Sequence, residues 1–279
     1  MLDPAPAAAP EARARQRSVG CVDLAVARQG GTTRVARLSE AGASRLRLPR
    51  AVADPLEAVI INTGGGMACG DRYSVSIEAL PQTDVVAATP AAERVYRSDG
   101  AEAVLEVRLA AASGARLAWL PQETILYERA RLRRRFEADL TVDATLLAFE
   151  ALVLGRAASG ESITDGAVED HWRIRRAGRL VYADSLRLAG DLATLLRRPA
   201  VLGGAAALAT LLYVAPDAEA RLDEARDALS GSRSTAGASA WNGMLAVRFL
   251  ASSVADLRHD GMRLIEALTS RPLPRVWRS

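Results

Sequence analysis

Asp84-Val85-Val86-Ala87-Ala88-Thr89-Pro90 returns as Ala115-Arg116-Leu117-Ala118-Trp119-Leu120-Pro121, and again as Ala144-Thr145-Leu146-Leu147-Ala148-Phe149-Glu150, at steps of 31 and 29 residues. Twelve residues into the copies stand Tyr96, Tyr127 and Arg156. In the first two copies an alternating polar and apolar run follows, Ala103 to Leu109 and Leu132 to Leu140. A repeat near 30 residues built from short extended runs predicts stacked β coils, each burying a face that its neighbour covers.

Outward from this stretch the period of two persists. Cys21 to Ala27 and Thr32 to Leu38 flank Arg28-Gln29-Gly30-Gly31, which predicts an opening hairpin. Ala58 to Ile61 is a short β-branched run, and Tyr73, Val75, Ile77 and Ala79 alternate with polar residues. Trp172 and Ile174 alternate with His171, Arg173 and Arg175, and Ala177-Gly178 turns the chain into Leu180-Val181-Tyr182. Asp191 to Arg198 is a short helix or turn. Leu208 to Val214 and Ala240 to Phe249 read as strands.

The period becomes helical only near the end, at about 216–230 and 253–269. Pro216 and Ser230-Gly231 punctuate the first helix, and Val254, Leu257, Met262, Ile265 and Leu268 form the stripe of the second, which Gly261 weakens. The residues after Pro274 are expected to be mobile. The fold class is therefore mainly β, a β-helix-like stack of short strands with two C-terminal helices, and not the strand-helix alternation of parallel α/β sheets.

Composition removes several function classes. All 36 basic residues are Arg, so neither a Walker A lysine nor a Schiff-base amine exists. A net charge of +3 is too small to imply a nucleic-acid surface. Aromatics make up only 4%, so the core must be aliphatic. Cys21 and Cys69 are too few for a disulfide framework. Met1 to Arg17 reads as a disordered Ala/Pro-rich tail before a single β domain over 18–279, and the apolar run Ala205 to Ala215 is too short to span a bilayer. These features lead us to expect a soluble, cytoplasmic protein.

Candidate sites are few. Gly64, Gly65 and Gly66, followed by Cys69, Gly70 and Asp71, form a glycine-dense turn that leads into a strand, where a dinucleotide loop would lead into a helix. The reading is a tight β connection, with Asp71 aimed into a crevice; a turn holding a small anionic substrate is the alternative, and would make the protein an enzyme. His171 and His259 show no metal-ligand spacing. Glu123 and Glu150 are carboxylates that the stack would bring together, and Glu161 closes the Gly155-Arg156 loop; such carboxylates suit passing a divalent cation or, equally, pairing with Arg. Arg129, Arg131, Arg133, Arg134 and Arg135 form a basic cluster, read as a solvated face or as a dock for an acidic partner. No Ser or Cys stands beside a His, so nucleophilic catalysis has no support.

Asn62-Thr63-Gly64-Gly65-Gly66 leading to Gly70-Asp71-Arg72, Val95-Tyr96-Arg97-Ser98, Leu120-Pro121-Gln122-Glu123-Thr124-Ile125-Leu126, and Glu150 with Gly155-Arg156 and Gly160-Glu161 resemble, in order and spacing, the urease accessory protein UreD (UreH) family. Cys69 and Arg94 depart from the residues usual there. The resemblance implies a non-enzymatic scaffold that binds apo-urease and UreF, with UreG recruited through UreF. It further implies GTP on UreG alone, no tightly bound cofactor, and transient nickel passed through an internal path. Asp71, Glu123, Glu150, Glu161 and Cys69 are the expected path. Leu257, Met262 and Ile265 are the expected UreF surface, and a dimer of heterocomplexes is open.

Overall fold

The computed structural model describes residues 17–49, 54–156 and 160–278. The expected disordered tail lies outside them except at Arg17. The strands are β1 (Val19–Gln29), β2 (Thr32–Gly42), β3 (Ser44–Arg47), β4 (Leu56–Asn62), β5 (Arg72–Ala79), β6 (Asp84–Ala88), β7 (Glu93–Val95), β8 (Ala103–Ala111) and β9 (Arg116–Leu120). They continue as β10 (Thr124–Leu126), β11 (Arg131–Leu140), β12 (Thr145–Leu154), β13 (Asp165–Arg176), β14 (Arg179–Asp191), β15 (Ala207–Val214), β16 (Thr235–Trp241) and β17 (Met244–Ala251). Helices α1 (Leu192–Leu195), α2 (Leu222–Leu229) and α3 (Val254–Thr269) complete the fold.

From β4 to β13 the chain alternates between two sheets, and each round adds parallel strands to both. The front sheet has the order β14-β13-β11-β8-β5-β1-β2. The back sheet has the order β16-β17-β15-β12-β9-β6-β4-β3, with β10 paired to β12 and β7 paired to β10. Parallel register stacks like on like. Val22, Val75, Val107, Phe136 and Trp172 form one inward row of the front sheet, and Leu24, Ile77, Leu109, Ala138 and Ile174 form the next. Val85, Leu117 and Leu146 face them from the back sheet. These rows form the buried core, which no single coil could close alone.

The repeat is therefore a coil, with one correction to its register. Asp84 pairs with Arg116, not Ala115, while Thr145 pairs with Arg116 as the second step requires. A one-residue slip exchanges the two faces of a strand, and the Ala-rich pattern of Asp84–Ala88 does not separate the alternatives. Tyr96 and Tyr127 stack edge to face at 5.1 Å, and the Arg156 guanidinium lies 4.4 Å from the Tyr127 ring, a ladder up the side of the coils.

The outer face of the back sheet carries a second apolar cluster, covered by α2, α3 and the C-terminal segment. Gly261 is required there, since a Cβ would stand 2.8 Å from the Phe149 ring. The helix approaches the sheet closely where its propensity is weakest. Two expectations fail at this end. Ala240 to Phe249 is not one strand but the hairpin of β16 and β17, because Asn242 and Gly243 both adopt positive φ, as a two-residue turn demands. Nor are the last described residues loose: Trp277 is buried, donates from Nε1 to the Leu120 carbonyl at 2.8 Å, and lies under Arg258.

Candidate functional site

Strict alternation places polar residues on inward faces at three positions. Arg134 lies between Leu132 and Phe136 on β11, Asp170 between Val168 and Trp172 on β13, and Glu150 between Ala148 and Leu152 on β12. Parallel register sets Arg134 against Asp170, and Glu150 faces them from the other sheet. Arg134 donates from Nε to Asp170 at 3.0 Å and from Nη2 at 2.5 Å, and its Nη1 reaches Glu150. Trp119 Nε1 donates to Glu150 at 2.7 Å, and Trp172 Nε1 to Asp170 at 3.2 Å. All three charged groups are buried. Burial pushes the Glu150 carboxyl up, against the pull of Arg134. Burial works against the Arg134 charge as well, but Asp170 and then Glu150 hold that guanidinium above its ordinary range.

Cavities flank this cluster. One of about 60 Å³ is lined by Glu150, Trp119, Asn62, Tyr73, Glu93 and Gln122, among others. Burial raises Glu93 to about 7, opposed by a hydrogen bond from Asn62 Nδ2 at 3.1 Å. On the other side a gap of about 10 Å³, the size of one water, is shared by Arg134, Glu150, Asp170, Asp184, Thr210 and Arg248. Arg248 donates to Thr210 at 2.7 Å and to Tyr182 at 3.0 Å, pairs with Asp184, and reaches solvent with half its side chain exposed. A row of carboxyls, Glu93, Glu150, Asp170 and Asp184, thus runs between the sheets.

Of the residues expected to form the path, only Glu150 belongs to that row. Asp71 is buried, and its carboxylate accepts from the Ser18 and Ala68 amides at 2.7 and 2.8 Å, clasping the chain start to the glycine turn. Cys69 is buried and unbridged, with its carbonyl held by Arg17. Glu123 points to Arg258 on α3 at 3.9 Å, so it and Glu150 have different partners and are not stacked. Glu161 sits at the rim. The Glu128 amide donates to it at 2.8 Å, and with Arg156 lowers its carboxyl below the usual range. Among the described residues no group of three or more His, Cys, Asp or Glu converges as a metal site.

The glycine turn is docked onto the stack. Tyr96 Oη donates to the Gly65 carbonyl at 2.8 Å, and Met67 exchanges amide bonds with Arg94 and Tyr96. A Cβ on Gly66 would meet the Tyr96 ring at 2.4 Å, so only glycine fits under it. The amides of Gly64, Gly65, Met67, Ala68, Gly70 and Asp71 all donate to acceptors of the protein itself. The turn thus acts as a structural clasp, with most of its amides already engaged. Gly70 lies within it, Gly155 ends β12, and Arg97 is exposed beside a bridge to Ala130.

The other expected surfaces also resolve into internal contacts. Leu257 and Ile265 are buried against the back sheet and Met262 packs beside them, so the stripe of α3 covers its own core instead of facing a partner. In the basic cluster only Arg134 turns inward. Arg133 pairs with Glu102 at 2.7 Å and Glu169 at 3.5 Å, and Arg135 lies 3.8 Å from Glu106, so the outer front face is a lattice of cross-strand ion pairs. A wider cleft of about 630 Å³ under the C-terminal segment has rim charges that likewise pair, Arg271 with Asp84 at 2.5 Å and Arg221 with Asp217 at 3.5 Å. Among the described residues no helix is long and apolar enough to cross a membrane.

Comparison with known proteins gives a consistent result. The family model described as UreD urease accessory protein matches residues 18–278. A urease accessory protein UreD of Xanthobacter autotrophicus is 58% identical over 99% of this chain and 95% of that protein. UreD of Azorhizobium caulinodans is 52% identical over 94% of this chain and 97% of its own. UreD of Rhodopseudomonas palustris is 45% identical, with 95% of each chain covered.

Proposed function

The chain belongs to the UreD family of urease accessory proteins, and on that premise we propose that it serves urease maturation as a non-catalytic scaffold through whose interior nickel reaches apo-urease. In this reading it binds apo-urease and UreF, receives nickel from UreG through UreF, and leaves GTP hydrolysis to UreG. A chain without Lys has no P-loop of its own.

The observation that carries the proposal is the inward row of carboxyls. Four acidic side chains lie between two sheets otherwise packed mainly with aliphatic and aromatic residues, beside cavities that the packing leaves open. Oxygen donors without a converging His or Cys hold a divalent cation loosely, which suits transit. Glu93, near its midpoint at neutral pH, can exchange its proton for a cation. We therefore assign the path to Glu93, Glu150 and Asp170, with Asp71, Glu123 and Glu161 outside it. Arg134 saturates two of these carboxylates, so passage requires its fork to swing aside.

Nickel content of urease, measured after co-expression with the other accessory proteins, tests this. Glu93→Gln should lower it severalfold while the chain still co-purifies with its partners, and Glu123→Ala should leave it unchanged. Full nickel loading with Glu93→Gln would remove the path.

A further inference from the structure

Natural sheets protect their edges with charge, bulges, brevity or a cover. Three edges of this protein follow that rule. β2 carries Arg34, Arg37 and Glu40 and is bulged against β1. β14 carries Arg179, Asp184, Arg187 and Asp191, with an irregular register against β13. β3 has four residues, two of them Arg. β16, against which α2 packs, has neither charge nor bulge. Its sequence, Thr235-Ala-Gly-Ala-Ser-Ala-Trp241, is uncharged over seven residues, free of Pro and regular against β17.

The strand is also anchored to the body of the protein. The Ser234 amide just before it donates to Asp260 of α3 at 2.7 Å. Ala236, Ala238 and Ala240 rest on the apolar cluster roofed by α2. The opposite face, Thr235, Gly237, Ser239 and Trp241, is exposed, and Trp241 is 40% exposed. A Cβ placed on Gly237 would find no atom within 4 Å. One face of one strand thus carries a bulky ring at its end and a bare glycine four residues earlier.

We propose that β16 is the site where this chain pairs with a second copy of itself, antiparallel about a two-fold axis at Ala238. That register sets Ala236 against Ala240 and Thr235 against Trp241 of the other copy. Each indole then lies diagonal to the other copy's Gly237, within reach of an aromatic ring. Aromatic rings covering glycines on neighbouring strands are a known way to stabilise a pair. No like charges meet, the Ala rows of both copies continue one inner face, and the two back sheets become one. The self-match of ring and glycine selects a second copy over an unrelated strand. The interface is closed, so it stops at two. This inference stands apart from the nickel path.

Sedimentation of the purified full chain should give a dimer. Trp241→Glu, at an exposed site that leaves the fold intact by circular dichroism, should weaken it by about tenfold or more. In a Cys21→Ser background, Ala238→Cys should cross-link to a disulfide dimer on mild oxidation, whereas Arg34→Cys on β2 should not. A monomeric wild-type chain, or equal cross-linking by both cysteine variants, would overturn the proposal, as would capture at β16 of an extended segment from another protein in place of the second copy.

Discussion

Arg134 and Arg156 both grip carboxylates, one between the sheets and one at the rim. Arg134 holds Glu150 and Asp170 with its side chain 2% exposed, while Arg156 holds Glu161 with 44% exposed. The carboxylates respond in opposite senses. Glu150 is pushed up, because desolvation exceeds what its partners return. Glu161 is pulled down, because a backbone amide and Arg156 act on a group that water still reaches. The same pairing chemistry is therefore a source of specificity and vulnerability inside, and nearly neutral outside.

Breaking the inner grip should have the largest effect. Arg134→Leu leaves two buried carboxylates without their cation and should cost about 3–5 kcal/mol in chemical denaturation. Replacing Arg134, Glu150 and Asp170 together by apolar residues of similar volume should restore most of that loss, since the desolvation term disappears with the charges. Asp71→Ala comes next. It strips the acceptor from two amides at a buried clasp and should cost about 3 kcal/mol, read from the same transition.

The inner row was legible in the sequence only in part. The repeat announced itself because parallel coils put like residues above one another, as Val75, Val107 and Phe136 show. The Ala-rich strand Asp84–Ala88 has little contrast between its two faces, which is why the first step slipped by one. Arg134 was hidden by its neighbours. Arg131, Arg133 and Arg135 drew it into a surface cluster, although its parity with Leu132 and Phe136 already placed it inside. The same signal, a charge at an apolar beat, marks Glu150 and Asp170. Glu93 gave no such cue, because its strand has three residues and too short a pattern to read. The structural work of Asp71, Glu123 and Glu161 was invisible for another reason: their partners, Ser18, Arg258 and the Glu128 amide, lie on other segments or in the backbone.

Glu93 sharpens the contrast from the other direction, as an inner carboxyl whose burial outweighs the pull of Asn62 and Arg94. Its folded value of about 7 lies above the ordinary 4.5, so the folded state binds the proton more tightly. Its contribution is fully present below pH 4.5 and fades as pH rises to about 7. Glu93→Gln should therefore flatten the stability profile across that window and stabilise the protein by about 3 kcal/mol above it, measured as the difference from wild type at each pH. At the rim the smallest effect is expected. Arg156→Ala should leave the denaturant midpoint within error of wild type, though it frees the Tyr127 ring and should enhance quenching of tyrosine fluorescence.

The two ends of the coil stack are finished with reversed strands: β2 runs against β1 and β3 against β4 at one end, β14 against β13 and β15 against β12 at the other. A ladder of identical direction has no intrinsic length, since any further coil, including one from a neighbouring molecule, would continue it. Turning the outermost strands around breaks that translational symmetry, so the molecule counts its own rungs and a further parallel coil has no template from which to start.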